Sequence, residues 1–570
     1  MIKTHNRQSS GLFLLLLLAL NIGAVAPTLA QRAPLEQQQR ERRTSTASPS
    51  PPPNPSSSAS PKPAQATAPT SAPVAINAPK TLAELQSRIE EVMRQPDLAP
   101  GIFAVKVASL DTGRTLFAEN EDKLLRPASN MKIYTVAAAL DRLTPDFRFV
   151  TSVYALDKPD KSGTIKGDLI VYGRGDPSIA ARFNDGDYFK GINGLADRIV
   201  AAGVKRVKGD LVGDESHFNG APLGSGWEWE DLQWWYGAEV SALTVNDNSL
   251  DLSVKPGSRV GAPCVITTGP PAPFVSITNR TTTSAAGSKS ELSVYRGPGE
   301  NVLEISGTLP LGDNGYTGGV AVPDPALVFV SMLRAALQQR GVIVTGRVRT
   351  VDERSGSSII PPQNVITQNA AEIKQSASSG QLVEITNMQS PPLSVIAAQT
   401  LKPSQNLYTE LILRTLGKVA GTNPKQTNEQ AGLEVVKSFL RQAGVGADEI
   451  VLSDGSGLSR NDMVMASASL QLLTYMSRHR SAEVFRDALP IAGVDGTLRS
   501  RMKGTPAAGN LRAKTGTLSS VASLSGYVTS AAGEHLVFSM MLNNYADANA
   551  VRKDSIDAIA VLLASFAGRS

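Results

Sequence analysis

Three short polar motifs lie far apart in this chain, so a fold that uses them together must join its two ends in one structure. Ser129 and Lys132 stand at the start of an apolar-periodic segment, which predicts a helix. Residues three apart share a helix face, so the lysine amine can lie beside the serine hydroxyl. A lysine placed there can accept the serine proton, which gives a nucleophilic serine without histidine.

A Ser-x-x-Lys pair is common in proteins, and it indicates a catalytic site here only because two further motifs follow it. They are Ser404-Gln405-Asn406, which begins a helical pattern, and Lys514-Thr515-Gly516-Thr517, which lies between two strand-like segments. Ser-x-x-Lys, Ser-x-Asn and Lys-Thr-Gly, in this order, are the motif set of penicillin-binding proteins and β-lactamases. A second Ser-x-Asn at Ser459-Arg460-Asn461 competes with Ser404. We favour Ser404 because it stands at the start of a helix.

The two ends of the chain carry complementary secondary structure. A helix from about Thr81 and a strand hairpin precede Ser129, whereas helical patterns at 407–416, 433–440 and 467–477, three strands and a last helix at 552–566 follow the middle. From about 149 to 370, short β-like segments predominate. We predict an α/β (α+β multidomain) fold: one antiparallel sheet flanked by helices, built from both ends, with large mainly-β or αβ insertions.

Beyond the motifs, the chain resembles the D-alanyl-D-alanine carboxypeptidases/endopeptidases of the penicillin-binding protein 4 type, which are low-molecular-mass class C penicillin-binding proteins. In that family a large insertion separates the Ser-x-x-Lys from the Ser-x-Asn motif. The resemblance covers about Thr81 to the C-terminus. Besides the motifs, it is carried by the segments 172–178, 240–243, 404–416, 454–460 and 513–518.

The resemblance implies a transpeptidase-like catalytic domain. Composition and local pattern, together with the resemblance from about Thr81 onward, set the domain boundaries that we predict. They are a signal peptide at 1–30, a Pro/Ser-rich tether at 31–80, a catalytic penicillin-binding domain at 81–148 and 372–570, an inserted domain at 149–174 and 249–371, and a second, nested inserted domain at 175–248.

The resemblance also implies a serine carboxypeptidase/endopeptidase that acts on peptidoglycan stem peptides without a cofactor, and that β-lactams inhibit covalently. Ser129 would form the acyl-enzyme, Lys132 would accept its proton, and Ser404 would relay a proton to the leaving amine. The residues that would bind the substrate are Asn406, Lys514, Thr515, Gly516 and Thr517, and the backbone N–H groups of Ser129 and Thr517 would hold the oxyanion.

The segment 227–236 holds all four tryptophans of the chain. Core packing is the simplest explanation for such a segment. The alternative hypothesis is that it lines the substrate cleft, where Asp231 would receive the ammonium group of a diaminopimelate side chain and Tyr236 would stack beside it.

The N-terminus predicts export from the cytoplasm. Lys3 and Arg7 precede a leucine-rich run, and Thr28-Leu29-Ala30 fits a small-x-small cleavage site. An uncleaved anchor is the alternative, although the apolar run is short for a membrane span. The tether buries too little apolar surface to order itself. We therefore expect a periplasmic or extracytoplasmic protein, and peripheral association with the membrane or the wall is left open.

Composition excludes several other classes. The net charge of +5 is concentrated at the N-terminus and forms no basic stripe with aromatics, so we expect no nucleic-acid partner. Cys264 is the only cysteine, which rules out an intrachain disulfide. The spacing of His, Asp and Glu predicts no metal site.

Three other functions compete with the peptidase interpretation. A β-lactamase shares the motifs, but no convincing Glu-x-x-Leu-Asn follows the Ser-x-Asn element. A histidine-based serine hydrolase is disfavoured because no Gly-x-Ser-x-Gly frames a serine. A catalytically silent wall-binding protein would not need the complete motif set.

Overall fold

The structure is a computed structural model, and it describes residues 78–272, 275–352, 382–545 and 549–570. The signal peptide, almost all of the tether and the signal's cleavage site lie outside these residues. The helices are α1 (Leu82–Met93), α2 (Met131–Arg142), α3 (Lys190–Ala201), α4 (Pro325–Gln339), α5 (Leu393–Leu401), α6 (Asn406–Ala420), α7 (Asn428–Gln442), α8 (Ala466–Met476), α9 (Ala482–Ala488) and α10 (Asn549–Ser565).

The strands fall into several sheets. They are β1 (Ile102–Ser109), β2 (Thr115–Glu119), β3 (Val150–Ala155), β4 (Thr164–Ile165), β5 (Leu169–Tyr172), β6 (Arg206–Val207), β7 (Leu211–Asp214), β8 (Ser249–Lys255), β9 (Val265–Gly269), β10 (Ser276–Ser284), β11 (Glu291–Arg296), β12 (Val302–Pro310), β13 (Tyr316–Ala321), β14 (Ile343–Val344), β15 (Val348–Val351), β16 (Val383–Gln389), β17 (Ile450–Val451), β18 (Met463–Val464), β19 (Arg512–Leu518), β20 (Val521–Thr529) and β21 (His535–Asn543).

Strands from both ends of the chain form one antiparallel sheet in the order β19-β20-β21-β1-β2. The central pair, β1 and β21, is in register from Ile102 opposite Asn543 to Ser109 opposite Leu536. Because side chains alternate along a strand, β1 can fill two cores at once. Val105 and Val107 contribute to one core with α1 and α10. Ala104 and Ala108 contribute to the other, with α2, α6, α7 and α8.

The central part of the chain forms sheets of its own around a separate core. Their strand orders are β15-β7-β5-β3-β16, β14-β6-β4, β13-β8-β9 and β10-β12-β11. Helices α3 and α4 each precede a pair of short strands, and these strands pair in parallel with β4 and β5 or with each other. An antiparallel sheet flanked by helices, with large inserted β and αβ structure, confirms the predicted fold class.

At two places, strands pair across the domain boundaries that we predict from the sequence. Strands β6 and β7 lie within 175–248, yet they pair with β4, β5, β14 and β15 from outside that range. The pairing therefore does not set 175–248 apart as a nested domain. Strand β16 follows residue 372 but pairs with β3 in the inserted part, so the chain returns to the catalytic part only after Gln389. Local sequence patterns do not reveal which distant strand a short strand will pair with.

Among the described residues, no helix is both long enough and apolar enough to cross a membrane.

Candidate active site

Ser129 and Lys132 meet at the start of α2. Ser129 lies in a 3-10 turn, Ala128–Asn130, directly before the α-helix, rather than within the helix as its periodicity predicts. The Lys132 Nζ donates hydrogen bonds to Ser129 Oγ (2.9 Å), to Asn406 Oδ1 (2.6 Å) and to the Ser456 carbonyl oxygen (2.7 Å). The lysine is completely buried, and these three acceptors orient its amine toward the serine.

Burial also changes the acidity of this lysine. Desolvation disfavours the ammonium form and lowers the pKa of Lys132 to about 7, although the charges of Asp454, Glu410 and Asp462 oppose the shift. At neutral pH a substantial fraction of Lys132 is therefore an uncharged amine. Such an amine, 2.9 Å from Ser129 Oγ, can accept the hydroxyl proton.

Ser404 and Lys514 form a second serine–lysine pair across the site. Ser404 has a φ of +65° and precedes α6, whose N-cap is Gln405. Lys514 lies in β19, and its Nζ donates to Ser404 Oγ (2.9 Å) and to the Thr515 carbonyl oxygen (2.8 Å). Burial, and then the nearby charge of Lys132, lowers the pKa of Lys514 well below its usual value.

The Ser-x-Asn motif joins the two lysines. Ser404 contacts Lys514, and Asn406, two residues later, contacts Lys132. The Asn406 amide also donates to the Tyr236 carbonyl oxygen at 2.8 Å. Residues separated by hundreds of positions are therefore brought into one site, as the three motifs predict.

The Lys-Thr-Gly strand forms one wall of this site. Strand β19 is at the edge of its sheet, Thr515 Oγ1 is 2.7 Å from Thr497 Oγ1, and the Thr517 side chain is exposed. A β-carbon at Gly516 would overlap Ser523 Oγ and come within 2.5 Å of the Pro127 carbonyl oxygen. Gly516 thus allows β19 to approach the turn that carries Ser129.

The tryptophan-rich segment reaches this region from the inserted part. Tyr236 packs near Ala128, Leu458 and Leu518 and makes an edge-to-face contact with Trp235. Asp231 is buried, with 5% of its surface exposed. The segment thus contributes both to packing and to the surroundings of the site.

The competing Ser-x-Asn motif has a different role. The Ser459 N–H donates to Asp454 Oδ2 (3.1 Å), and its Oγ accepts from the Asn461 N–H (3.2 Å). These bonds belong to a turn, whereas Ser404 and Asn406 contact the two lysines.

Sequence reasoning missed several buried groups around Lys132. They are Glu410 on α6, Asp454, the Ser456 carbonyl and Asp462. Only Glu410 left a signal in the sequence: it is an acidic residue within the apolar-periodic segment 407–416, where a carboxyl group that faces a core needs a specific reason to be there. In the part of the chain that the structure describes, no group of three or more His, Cys, Asp or Glu side chains could hold a metal ion.

Comparisons with known proteins agree with this geometry. The chain is 34% identical over 499 residues to a D-alanyl-D-alanine carboxypeptidase of Actinomadura sp. (strain R39), covering 85% of this chain and 86% of the relative. It is 27% identical over 435 residues to the D-alanyl-D-alanine carboxypeptidase DacB of Haemophilus influenzae, covering 75% and 82%.

The fold is also similar to that of a solved structure. The crystal structure of penicillin binding protein 4 (dacB) from Haemophilus influenzae matches with a TM-score of 0.66 and 23% identity, over 83% of this chain and 97% of that chain. The sequence pattern of the D-Ala-D-Ala carboxypeptidase 3 (S13) family matches residues 85–364 and 362–566. Because these two ranges together cover all of 85–566, the chain belongs to the D-Ala-D-Ala carboxypeptidase 3 (S13) family.

Proposed function

We propose that this protein is a serine D-Ala-D-Ala carboxypeptidase and endopeptidase that acts on peptidoglycan stem peptides through an acyl-enzyme on Ser129. The observation that carries the proposal is the 2.9 Å contact between Ser129 Oγ and the buried Lys132 amine. The family membership of the chain supports the same reaction class.

Acylation begins with a proton transfer. Uncharged Lys132 accepts the proton of Ser129 as Oγ forms a bond to the carbonyl carbon of the penultimate D-alanine. The N–H groups of Ser129 and Thr517 hold the resulting oxyanion. The C–N bond then breaks, and the leaving amine takes the proton from Lys132, with Ser404 as the relay. Water next attacks the ester carbonyl, and the bond between that carbon and Ser129 Oγ breaks. One proton of the water goes to Ser129 Oγ, and the acyl product leaves with the remaining hydroxyl.

Substrate recognition uses the sheet side of the site, which is formed by Lys514 to Thr517 on β19. Among the described residues, no carboxylate forms an ion pair with the buried Lys514 amine, whose contacts are Ser404 Oγ and the Thr515 carbonyl. Burial lowers the pKa of Lys514, and a negative charge beside it would favour its ammonium form. A terminal carboxylate of the substrate would supply that charge, with hydroxyls of Thr515 and Thr517 beside it. Gly516 keeps this strand close to the Ser129 turn, and Asn406 orients the substrate amide.

The protein could act on two classes of substrate, which differ in the group that leaves when the bond after the penultimate D-alanine is cleaved. A carboxypeptidase releases a terminal D-alanine, whereas an endopeptidase cleaves a cross-link after D-alanine. Asp231 and Tyr236 would receive a diaminopimelate side chain with a free amine. Asp231→Ala should then impair hydrolysis of such stem peptides much more than reaction with a simple β-lactam, and an equal loss on both would reject this role.

β-Lactams would react with Ser129 as substrate mimics, so a fluorescent penicillin tests the proposal directly. The full chain should be labelled covalently, and Ser129→Ala should abolish labelling. Ser459→Ala, in the competing Ser-x-Asn, is the matched control and should be labelled as the parent is. Labelling of Ser129→Ala would refute the acyl-enzyme assignment, and rapid loss of label would indicate a β-lactamase.

We also place the reaction outside the cytoplasm, in the periplasm, where the predicted signal at 1–30 would direct the chain. The tether at 31–80 would allow peripheral contact with the membrane or the wall. N-terminal sequencing of the exported protein tests cleavage after Ala30: a start at Gln31 supports it, and a retained leucine run would indicate an anchor.

A further inference from the structure

A turn at 454–459 lies against the Ser129–Lys132 pair and takes no part in the chemistry proposed for the site. Its Ser456 carbonyl accepts a hydrogen bond from Lys132, and its Gly455 carbonyl accepts one from Thr135 Oγ1 at 2.8 Å. Gly457, at a φ of +77°, lies so close to the Ala128 carbonyl that a β-carbon would overlap it. The turn therefore contacts the start of α2 at three points.

The carboxylate of Asp454 organises this turn from inside. Asp454 is completely buried and accepts hydrogen bonds from six donors. They are, on Oδ1, the N–H groups of Ser456 (3.1 Å) and Gly457 (2.7 Å), and, on Oδ2, the N–H groups of Leu458 (3.2 Å) and Ser459 (3.1 Å), Ser456 Oγ (2.8 Å) and Trp227 Nε1 (2.8 Å). Donors in this number stabilise a negative charge and leave the turn one conformation.

We propose that Asp454 is a positioning residue for the base Lys132: it shapes the turn whose Ser456 carbonyl holds the amine, and its buried charge tunes how firmly that amine binds a proton. The inference rests on the proposed function, since it assigns Lys132 the role of base. It adds that Trp227, from the inserted part of the chain, adjusts the same charge through its indole N–H.

Other ionisable groups face Lys132 from the elements packed around it. Glu410 on α6 and Asp462, close to the turn, are buried, and burial followed by the charge of Asp454 raises the pKa of each carboxyl well above its usual value. Lys514 on β19 has a lowered pKa and adds no attraction for a proton. Of the three carboxyl groups, Asp454 acts most strongly on Lys132, and Glu410 and Asp462 act less.

Trp227 connects this charge to the inserted part. Its indole ring packs beside Ala128 and Leu458, and its neighbour Ser225 donates from N–H and Oγ to the Glu429 carboxylate at 2.9 and 3.2 Å. The segment around Trp227 is therefore anchored on the catalytic part. Trp227→Phe keeps an aromatic ring and removes the N–H donor together with the five-membered part of the indole.

The test is the rate of acylation by a fluorescent penicillin, followed over a pH series that spans the Lys132 pKa of about 7. Asp454→Asn removes the charge that favours the ammonium form. Its acylation midpoint should move to lower pH by about one unit, and its plateau rate should fall about tenfold or more because the turn loses acceptors. Asp462→Asn is the matched control: Asp462 acts less strongly on Lys132 than Asp454 does, so an amide of the same size there should move the midpoint by clearly less.

We expect Trp227→Phe to move the pH midpoint of acylation in the opposite direction. Without the indole dipole, the Asp454 charge acts more strongly on Lys132, so the midpoint should move to higher pH by less than the Asp454→Asn shift. If Asp454→Asn does not fold, this variant decides the question, and an unchanged midpoint overturns the proposal. Equal shifts in Asp454→Asn and Asp462→Asn would overturn it too.

The proposed function fails separately, if the parent protein takes no label or if Ser129→Ala takes it. Neither of these results depends on residue 454.

Discussion

The helix side of the active site and its sheet side each place a buried lysine against a serine hydroxyl, but they surround it differently. Lys132, on α2, has an amide oxygen and a carbonyl oxygen as further acceptors and a buried carboxylate nearby, and its pKa is about 7. Lys514, on β19, has one carbonyl besides its serine, and burial, followed by the nearby charge of Lys132, lowers its pKa well below the usual value. The same pair of residue types can therefore serve as a base on one side and as an anion receptor on the other, because the environment of each lysine differs.

The largest effect should come from removing the base on the helix side. Lys132→Arg keeps a positive charge and hydrogen-bond donors, but an arginine does not give up its proton at neutral pH. Acylation by a fluorescent penicillin should fall by about a thousandfold, in the range of general-base contributions. Lys132→Met, which lacks the amine, is the control and should lose a similar amount. An arginine variant with near-parental rates would show that Lys132 is not the base.

The sheet side should respond in a substrate-dependent manner. Lys514→Met removes the cation proposed to bind the terminal carboxylate, so kcat/KM for a stem peptide with a free carboxylate should fall about a hundredfold. The same peptide with a C-terminal amide should react at nearly equal rates with variant and parent. Steady-state kinetics on the matched peptide pair measure this difference. An equal loss on both peptides would make the two lysines alike in function and would break the contrast between the sides.

The pH dependence of acylation by the parent protein tests the role of Lys132 as a base without any mutation. Lys132 has a lowered pKa of about 7 and acts only when deprotonated, so acylation should rise with pH through this value and level off above it. Below it, each pH unit should reduce the rate by about tenfold, since the ammonium form has no lone pair. Stopped-flow acylation across the pH series provides the measurement. A rate that falls as pH rises through neutrality would contradict a lysine base.

The smallest effect concerns the contact that joins the two sides. Gly516→Ala inserts a methyl group against Ser523 Oγ and the Pro127 carbonyl, which should cost about 1–3 kcal/mol and separate β19 from the Ser129 turn. The unfolding midpoint should drop by a few degrees, with a severalfold slower acylation. Gly194→Ala, in α3, brings the added methyl no closer than 4.0 Å to the Met388 sulfur and should be neutral or slightly stabilising. Unchanged values for Gly516→Ala would show that the two sides do not depend on this close approach.

Helices in the catalytic part were predictable from their local pattern. The periodicity predicted a helix at 407–416 that the structure extends to Asn406–Ala420, and another at 433–440 that extends to Asn428–Gln442. Apolar faces and capping residues depend on neighbouring residues, so they can be recognised in the sequence alone. The helix predicted from about Thr81 begins there: Thr81 Oγ1 accepts from the Glu84 N–H, and the Glu84 carboxylate accepts from the Lys80 N–H.

The three motifs, read as chemistry, determined that Ser129, Lys132, Ser404 and Lys514 should meet, and the sequence alone supported one sheet made from both ends of the chain. Only the tertiary structure decided which lysine has three oriented acceptors, that Gly516 faces the Pro127 turn, and that strands within 175–248 pair outside that range. The reason is physical: a motif reports the residue types that a reaction needs, whereas burial, strand partners and the charges near an amine arise from contacts between segments that the sequence does not place side by side.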